Sequence, residues 1–378
     1  MPGAPVLSGT AGSLISILDA CLVTGFGSAG ITSLTVASGV ATANFAAAHP
    51  YEVASVALIA GAVVTGASPA ALNGEKRILS TTATSVTFNA TGVTDQTATG
   101  SATARVAGAG WTKPFTGTNK AVYRNNSVTG TGMYLRMDDS EATVGRLRGY
   151  EVMTDVDTGV NLFPTLVQHS GPGLWWSKSN GANSTSKQWT IFADSRGVYW
   201  MMQGDPTWQY RVNFFGDINS VKANDPYACV IRADIGDRSN NPVVGEDLMF
   251  SQRIPGVGNF VAREANTISK STAVGHCLSC ASQAGDWYPG SSGYVFPSAV
   301  DNGLVLAPYA CIGSNAIRGY FPGLMASPQL CGPSFSHGDT VLGSGPLTGK
   351  RYSAVKTGSV GSSVNGVLFF DTLADWRA

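Results

Sequence analysis

Short β-forming segments separated by turn residues fill the chain from about residue 31 to residue 107. Thr, Val, Ala and Ser dominate these segments, and Gly, Asn and Asp separate them, as at Asn73-Gly74. Several short strands at regular spacing are typical of a β-sandwich or a small barrel. The predicted strands span 31–36, 40–45, 53–59, 77–82, 86–89 and 102–106.

One amphipathic helix is predicted before these strands. Apolar residues recur at helical spacing over residues 11–23. Thr10 is a suitable N-cap for this helix, and Gly25 is a suitable residue to end it. A helix this short is marginal alone, so its apolar stripe is expected to dock on the next domain or on a neighbouring subunit. The candidate subunit-interface residues are Leu14, Ile17, Leu18 and Leu22.

The order of these patterns predicts a mainly β protein with three regions. Residues 1–30 form a helical anchor, and residues 31–107 form a small immunoglobulin-like β-sandwich module without the usual cysteine pair. After the boundary at Gly108-Ala109-Gly110, residues 111–378 form a larger antiparallel β-domain, with a division near 250 left open. Its segments 188–193 and 197–202 flank Asp194-Ser195-Arg196 and predict a hairpin. Its Pro- and Gly-containing last third is predicted to be rich in loops.

The surface of such a chain carries few charges. Charged residues make up 13% of the sequence, the formal net charge is zero, and Gly occupies 46 of 378 positions. Because a free enzyme usually keeps a charged surface for solubility, this composition favours a subunit that is covered by other copies in an assembly. The neutral balance argues against nucleic acid as a partner.

No apolar run reaches the length of a membrane helix, so no membrane insertion is expected. The first residues lack the basic stretch of a secretory signal, which favours synthesis in the cytoplasm.

Motifs for catalysis and cofactors are weak. The segment from Gly25 to Gly30 matches G-x-G-x-x-G, but a helix precedes it and strand-like residues follow, the reverse of a dinucleotide site, so a flexible hinge is expected. Cys277 and Cys280 form a single C-x-x-C without a second pair, which favours structural thiols over zinc. Asp155 begins half a calcium loop, for which a turn is the better interpretation. We therefore predict no catalytic residue, cofactor or metal, and no enzyme.

Aromatic residues enter the sequence after residue 110. Tryptophans can stack on sugar rings, and they also fill β-sheet cores and subunit interfaces. Both interpretations stay open for the surface-recognition candidates Trp175, Trp176 and Trp208.

Three separate stretches, which together span most of the chain, carry distinct sequence motifs. Residues 5–12 lead into the helix that ends before Gly25, residues 189–200 precede Phe215-Gly216-Asp217-Ile218, and residues 317–324 read I-R-G-Y-F-P-G-L. Together they resemble structural proteins of tailed-bacteriophage particles. The resemblance implies a multi-copy virion subunit made in the host cytoplasm, and it carries no active-site residue with it.

The resulting functional hypothesis is a subunit of the tail tip, baseplate or fibre that contacts other copies of itself, other virion proteins and host surface polysaccharide. The alternatives are a capsid decoration or head fibre protein and a carbohydrate-binding module.

Overall fold

The computed structural model describes residues 1–66, 71–166, 171–203, 210–233, 260–262, 294–313, 316–358, 365–373 and 376. The mainly β prediction is confirmed, with 49% of residues in strands and 7% in helices. The predicted N-terminal helix is also confirmed: helix α1 (Ser13–Leu18) continues as a π-helix (Asp19–Thr24).

The chain divides into two compact units. Unit 1 comprises Met1–Pro5 and Ser16–Ala109, and unit 2 comprises Val6–Ile15 and Gly110–Ala378. The segment Val6–Ile15 thus belongs to unit 2, although the chain on both sides of it belongs to unit 1. The N-terminal residues are therefore not a separate body in this structure.

Unit 1 is a closed six-stranded barrel. Its ring of antiparallel pairings runs β1–β2–β5–β4–β3–β7 and returns to β1, while β6 pairs with one end of β1. An immunoglobulin-like sandwich is not confirmed, because this continuous ring replaces two facing sheets. The strands are β1 (Phe26–Ala37), β2 (Val40–Phe45), β3 (Val56–Ala60), β4 (Gly74–Thr81), β5 (Ser85–Asn89), β6 (Gln96–Thr97) and β7 (Thr103–Val106).

Local turn chemistry sets the first hairpin of the barrel. Ser38 and Gly39 both have positive φ, 49° and 76°, and they connect the paired residues Ala37 and Val40. A two-residue turn with two positive φ values matches the twist of the flanking strands. Because alternate residues then face the same side, Ala41, Ala43 and Phe45 enter the barrel core.

The glycine-rich segment after the helix is part of this barrel. Gly25 has φ 73° and ends the π-helix, and β1 begins at Phe26. The expectation of a flexible hinge at residues 25–30 was wrong, because this segment pairs with β7. The barrel consequently starts before residue 31.

The described residues of unit 2 form three antiparallel sheets. The first sheet has the order β12-β11-β10-β9-β8 with β13 also on β11, the second has β14-β15-β16-β18-β19, and the third has β17-β21-β24-β23-β22 with β20 on β21. The predicted hairpin at Asp194-Ser195-Arg196 is present between β14 and β15.

The strands of the first sheet are β8 (Trp111–Gly117), β9 (Lys120–Asn125), β10 (Tyr134–Asp138), β11 (Val144–Met153), β12 (Gly159–Phe163) and β13 (Leu174–Ser177). Those of the second sheet are β14 (Gln188–Ala193), β15 (Gly197–Gln203), β16 (Arg211–Asp217), β18 (Cys229–Arg232) and β19 (Phe260–Ala262). The third sheet contains β17 (Asn219–Ser220), β20 (Ala307–Gly313), β21 (Ala316–Ala326), β22 (Thr340–Leu342), β23 (Arg351–Gly358) and β24 (Asn365–Asp371), with short 3₁₀ turns at Gly332–Ser334 and Gly345–Leu347.

The second sheet is the middle layer of unit 2. Every residue of β16 is buried, and its neighbour β15 is buried except at its last residue. One face contributes Tyr199 and Phe214 to a core shared with Phe321 and Phe370 of the third sheet. On the other face, Trp200 Nε1 donates a hydrogen bond of 3.0 Å to the carbonyl of Ser177 in the first sheet. A sheet covered on both faces requires apolar residues at successive positions, which explains the run Val198 to Met202.

Candidate functional site

A buried carboxyl fixes the N-terminal segment to unit 2. Asp139 follows β10, and its Oδ2 accepts hydrogen bonds from the backbone N–H of Leu14 at 2.8 Å and of Ile15 at 3.1 Å. Its Oδ1 contacts Nζ of Lys178, which follows β13 and also donates a 2.9 Å hydrogen bond to the carbonyl of Thr10. These contacts form a cluster, named here the N-terminal clamp, that satisfies backbone groups at the start of α1.

Packing in the N-terminal clamp depends on the absence of a side chain at Gly145 in β11. A Cβ built there would lie 2.7 Å from Cδ2 of Leu14 and 2.6 Å from Sδ of Met137. Such distances require one of the neighbours to move, so Gly145 allows Leu14 to approach the sheet. Leu14 itself has no exposed surface.

The charged groups of the N-terminal clamp are shielded from solvent. Asp139 and Lys178 both have side chains that are 0% exposed. Burial raises the pKa of the Asp139 carboxyl above its ordinary value, and the hydrogen bond and charge of Lys178 oppose that shift. Removing one partner would leave a buried group without its counter-charge, which is strongly unfavourable.

A second buried carboxyl holds the F-G-D-I motif in place. Asp217, at the end of β16, is fully buried and accepts hydrogen bonds from Thr131 N at 2.8 Å and from Thr131 Oγ1 at 2.5 Å. Arg196 of the β14–β15 hairpin approaches Asp217 through Nε at 3.3 Å. In the same hairpin, Asp194 Oδ1 accepts the N–H groups of Arg196 and Gly197. The motif therefore joins a loop of the first sheet to a hairpin of the second.

The I-R-G motif near the C-terminus has a comparable role. Arg318 on β21 is buried, approaches Asp225 Oδ2 at 3.4 Å, and donates a 2.9 Å hydrogen bond to the carbonyl of Tyr227. Gly319 is required beside it, because an added Cβ would lie 2.3 Å from the carbonyl oxygen of Asn219. These residues fasten the loop after β17 to the third sheet.

The apolar helical stripe is buried inside the chain. Leu14, Ile17, Leu18 and Leu22 are each 0% exposed. They are therefore unavailable to a neighbouring copy, and their assignment to a subunit interface was wrong. Of the two docking partners that the sequence left open, a place within the same chain is the one observed.

The three tryptophan candidates have different positions. Trp176 is 0% exposed and donates a hydrogen bond to the carbonyl of Arg232 at 3.2 Å, so its assignment to a recognition surface was wrong. Trp175 is half-buried, and the guanidinium of Arg146 lies 4.2 Å from its ring centroid, a cation–π contact that covers one ring face. Arg146 also pairs with Glu141 at 2.7 Å. Trp208 lies outside the described residues.

The half calcium loop is a turn. Asp155 Oδ1 accepts the backbone N–H groups of Asp157 at 2.7 Å and of Thr158 at 2.8 Å, which keeps the pKa of the Asp155 carboxyl below its ordinary value. The carboxylate of Asp157 contacts Lys120 and Arg136. The turn interpretation is confirmed, since the side chains that would serve as ligands already have partners.

Four of the described cysteines form no disulfide: Cys21, Cys229, Cys311 and Cys331. Burial raises the pKa of the Cys311 thiol to about 12, so it is not a reactive thiolate at neutral pH. Cys277 and Cys280 lie outside the described residues, so the C-x-x-C prediction concerns a part of the chain that is not described. Within the described ranges, no three His, Cys, Asp or Glu side chains come together as a metal site.

The stacking and hydrogen-bond contacts of His337 were not predicted from the sequence. Its ring stacks on Tyr210 with a centroid distance of 3.7 Å, and its Nε2 lies 3.3 Å from Thr190 Oγ1. The Tyr210 hydroxyl donates a 3.0 Å hydrogen bond to Gln188. Burial lowers the pKa of His337 to about 4, so the ring is neutral near pH 7. A lone histidine between Ser336 and Gly338 gives no local signal of such a contact.

Unit 2 also presents apolar side chains to solvent. Val128, at the tip of the β9–β10 loop, is fully exposed, and Leu342 of β22 is 73% exposed. Two hydrogen bonds hold the base of the β9–β10 loop. Thr131 N donates one to Asp217, and Arg124 Nε donates the other to the Gly132 carbonyl at 3.0 Å. The valine is thus presented on an anchored turn.

No protein-family model matches this sequence, and no match is found among curated proteins. Among the described residues, none of the helices combines the length and apolar character that a membrane span requires.

Proposed function

We propose that this chain is a structural subunit of a tailed-bacteriophage particle, present in many copies at the tail tip, baseplate or fibre. The observation that carries the proposal is a surface with few charges and with large apolar side chains exposed on separate segments of unit 2. Charged residues are 13% of the chain, and Val128, Val300 and Leu342 are each more than two thirds exposed. Such surfaces are stabilised when another protein covers them.

The use of the polar residues supports the same proposal. Asp139, Asp217 and Arg318, which lie in or contact the three stretches that resemble phage particle proteins, all hold segments of backbone in place. A site that acts on a substrate would instead keep polar groups directed at an open cleft. The resemblance and the structure thus favour a scaffold whose polar groups serve its own rigidity.

The tryptophans argue against carbohydrate binding as the main role. Trp176 is in the core and Trp175 has an arginine over one ring face, so neither offers the open aromatic platform that a sugar ring needs. Contact with host polysaccharide therefore has no support from these two side chains. The alternative is a capsid decoration or head fibre protein. The location of the chain on the particle, on the head or on the tail, distinguishes this alternative from the proposal.

Association of the purified chain tests the proposal. Sedimentation velocity over increasing protein concentration should show ordered oligomers, and sodium sulfate should strengthen their association because it favours burial of apolar surface. A chain that stays monomeric at high concentration, with no binding to particle components, would contradict the proposal. Labelling of particles with an antibody against the chain, viewed by electron microscopy, then separates tail from head.

A matched pair of double variants sharpens this test. Val128→Lys with Leu342→Lys should weaken association, because two lysines are inserted where apolar side chains meet a neighbour. Thr129→Lys with Ser344→Lys adds the same charge at neighbouring exposed positions and should weaken association much less. Equal effects would show that net charge, and not the apolar side chains, controls assembly.

A further inference from the structure

The N-terminal clamp brings an amine and a carboxyl together away from solvent. Lys178 and Asp139 are 39 residues apart in sequence, and both side chains are 0% exposed. Lysine Nζ contacts one carboxyl oxygen, Oδ1, while the other oxygen, Oδ2, is held by two backbone N–H groups. The two oxygens of Asp139 thus have different chemical surroundings.

This division of roles suits attack on the carboxyl carbon. The N–H groups of Leu14 and Ile15, at 2.8 and 3.1 Å, draw electron density towards Oδ2 and would stabilise negative charge on it in a tetrahedral intermediate. The carbonyl of Thr10 accepts a 2.9 Å hydrogen bond from Nζ and orients the amine. Oδ1 is left as the oxygen that can leave.

We propose that Lys178 Nζ and Asp139 Cγ condense in the folded chain to form an intramolecular isopeptide bond. Transfer of one proton from the Lys178 ammonium to Oδ1 frees the nitrogen lone pair. The lone pair then attacks Cγ, the new C–N bond forms, and the bond between Cγ and Oδ1 breaks. An ammonium and a carboxylate together contain every atom of an amide and one water molecule. Counting this first transfer, two protons pass from the nitrogen to Oδ1, which departs as water, and the step needs no oxidant, reductant or outside proton.

The surroundings of the pair favour this reaction over a lasting ion pair. Burial raises the pKa of the Asp139 carboxyl, which favours the neutral acid that an amine can attack. Fixed reacting groups behave as if present at very high concentration, on the order of 10⁵–10⁸ M in well-oriented cases. The neutral amide also removes two charges from a site where their desolvation is costly. Exclusion of water then slows hydrolysis of the product.

The bond would make the N-terminal clamp permanent. It would join the residue after β10 to the residue after β13, two places on the same sheet, and it would fix the carbonyl oxygen that holds the start of α1. A covalent link of this kind keeps its geometry under force or heat that would separate an ion pair. This inference does not depend on the proposed phage function.

Mass spectrometry of the full chain in denaturant tests the proposal. The wild-type protein should be lighter than its sequence mass by one water molecule. Because trypsin does not cut after a modified lysine, the digest should contain a branched peptide that joins residues 137–146 to residues 149–187. Separate linear peptides ending at Lys178, in a folded and fully incubated sample at the sequence mass, would overturn the proposal and leave a simple ion pair.

Two lysine variants provide the controls. Lys178→Arg keeps the positive charge but has no nucleophilic amine, so the water loss and the branched peptide should disappear. Lys120→Arg changes a lysine in the exposed pair with Asp157 and should leave both signals unchanged. Loss of one water that persists in Lys178→Arg would place the dehydration elsewhere and overturn the proposal. Where Lys178→Arg does not fold, the wild-type peptide map still decides the question.

Discussion

The interiors of the two units contain different kinds of side chain. The barrel core of unit 1 contains many alanines together with Leu34, Ile78 and Phe88, and no polar or charged residue is buried among the described residues 16–66 and 71–109. Unit 2 buries large aromatic residues and also charged ones such as Asp139, Lys178 and Asp217.

Topology explains this difference. A small closed barrel has a narrow interior, which alanine fills without crowding, and its outer face can be polar. In unit 2, strands β15 and β16 of the middle sheet are buried on both faces, apart from the last residue of β15, so both faces require large apolar residues there, and loops at the ends of this sheet meet other sheets. Polar groups in those loops must find partners inside the protein. The comparison indicates that the layering of sheets, more than the amount of sheet, brings charged side chains into the interior.

Truncation of core residues should show the largest effect. Trp200→Ala is expected to lower the free energy of unfolding of unit 2 by about 3–5 kcal/mol, because it leaves a cavity between two sheets. Ile59→Val in the barrel should cost unit 1 only about 0.5–1.5 kcal/mol. Urea unfolding, with hydrogen exchange to assign each loss to its unit, measures both. Similar losses for the two variants would break the contrast between the cores.

Removal of a buried carboxyl should have the next largest effect. Asp217→Ala is expected to destabilise unit 2 by about 2–3 kcal/mol, since Thr131 and Arg196 lose a charged hydrogen-bond acceptor. Asp157→Ala is the matched control, because Asp157 is 51% exposed and its ion pairs are screened by water, so its cost should be about 0–1 kcal/mol. Equal unfolding midpoints for the two variants would mean that burial of the charge does not matter.

The effect that is smallest at neutral pH concerns the protonation of His337. Burial lowers the pKa of His337 in the folded chain from 6.5 to about 4, so the unfolded chain binds the proton more readily between these values. Because protonation of His337 stabilises the unfolded chain, the free energy of unfolding is unaffected by this group above pH 6.5 and decreases as the pH falls towards 4. His337→Phe keeps a ring to stack on Tyr210 and should flatten the dependence of melting temperature on pH in that window. An unchanged slope in the variant would show that other groups cause it.

Some local features of this fold were predictable, and each rests on a few neighbouring residues. The β14–β15 hairpin follows from alternating strands around Asp194-Ser195-Arg196, whose aspartate accepts nearby backbone N–H groups. The helix at residues 13–18 follows from the spacing of its apolar residues. The glycine segment after it was misread as a hinge, because a glycine-rich run gives no sign of a strand that will pair with it far along the chain.

The candidate site was less predictable. Trp175 and Trp176 are neighbours on one strand, yet one is in the core and the other carries Arg146 on its ring. Alternation indicates that they face opposite sides but not which side another sheet covers. The apolar stripe of the helix likewise required a surface to pack against. Its sequence was equally consistent with packing against this chain and with packing against a second copy.

Residue order alone therefore specified the β class, the short helix and several turns, because side-chain alternation and turn chemistry act over a few residues. Only the tertiary structure shows that the barrel closes, that the middle sheet is covered, and that Asp139 contacts Lys178. Each of these depends on segments far apart in sequence, whose contact is decided by the packing of whole sheets. No short pattern around either residue records which distant group will lie beside it.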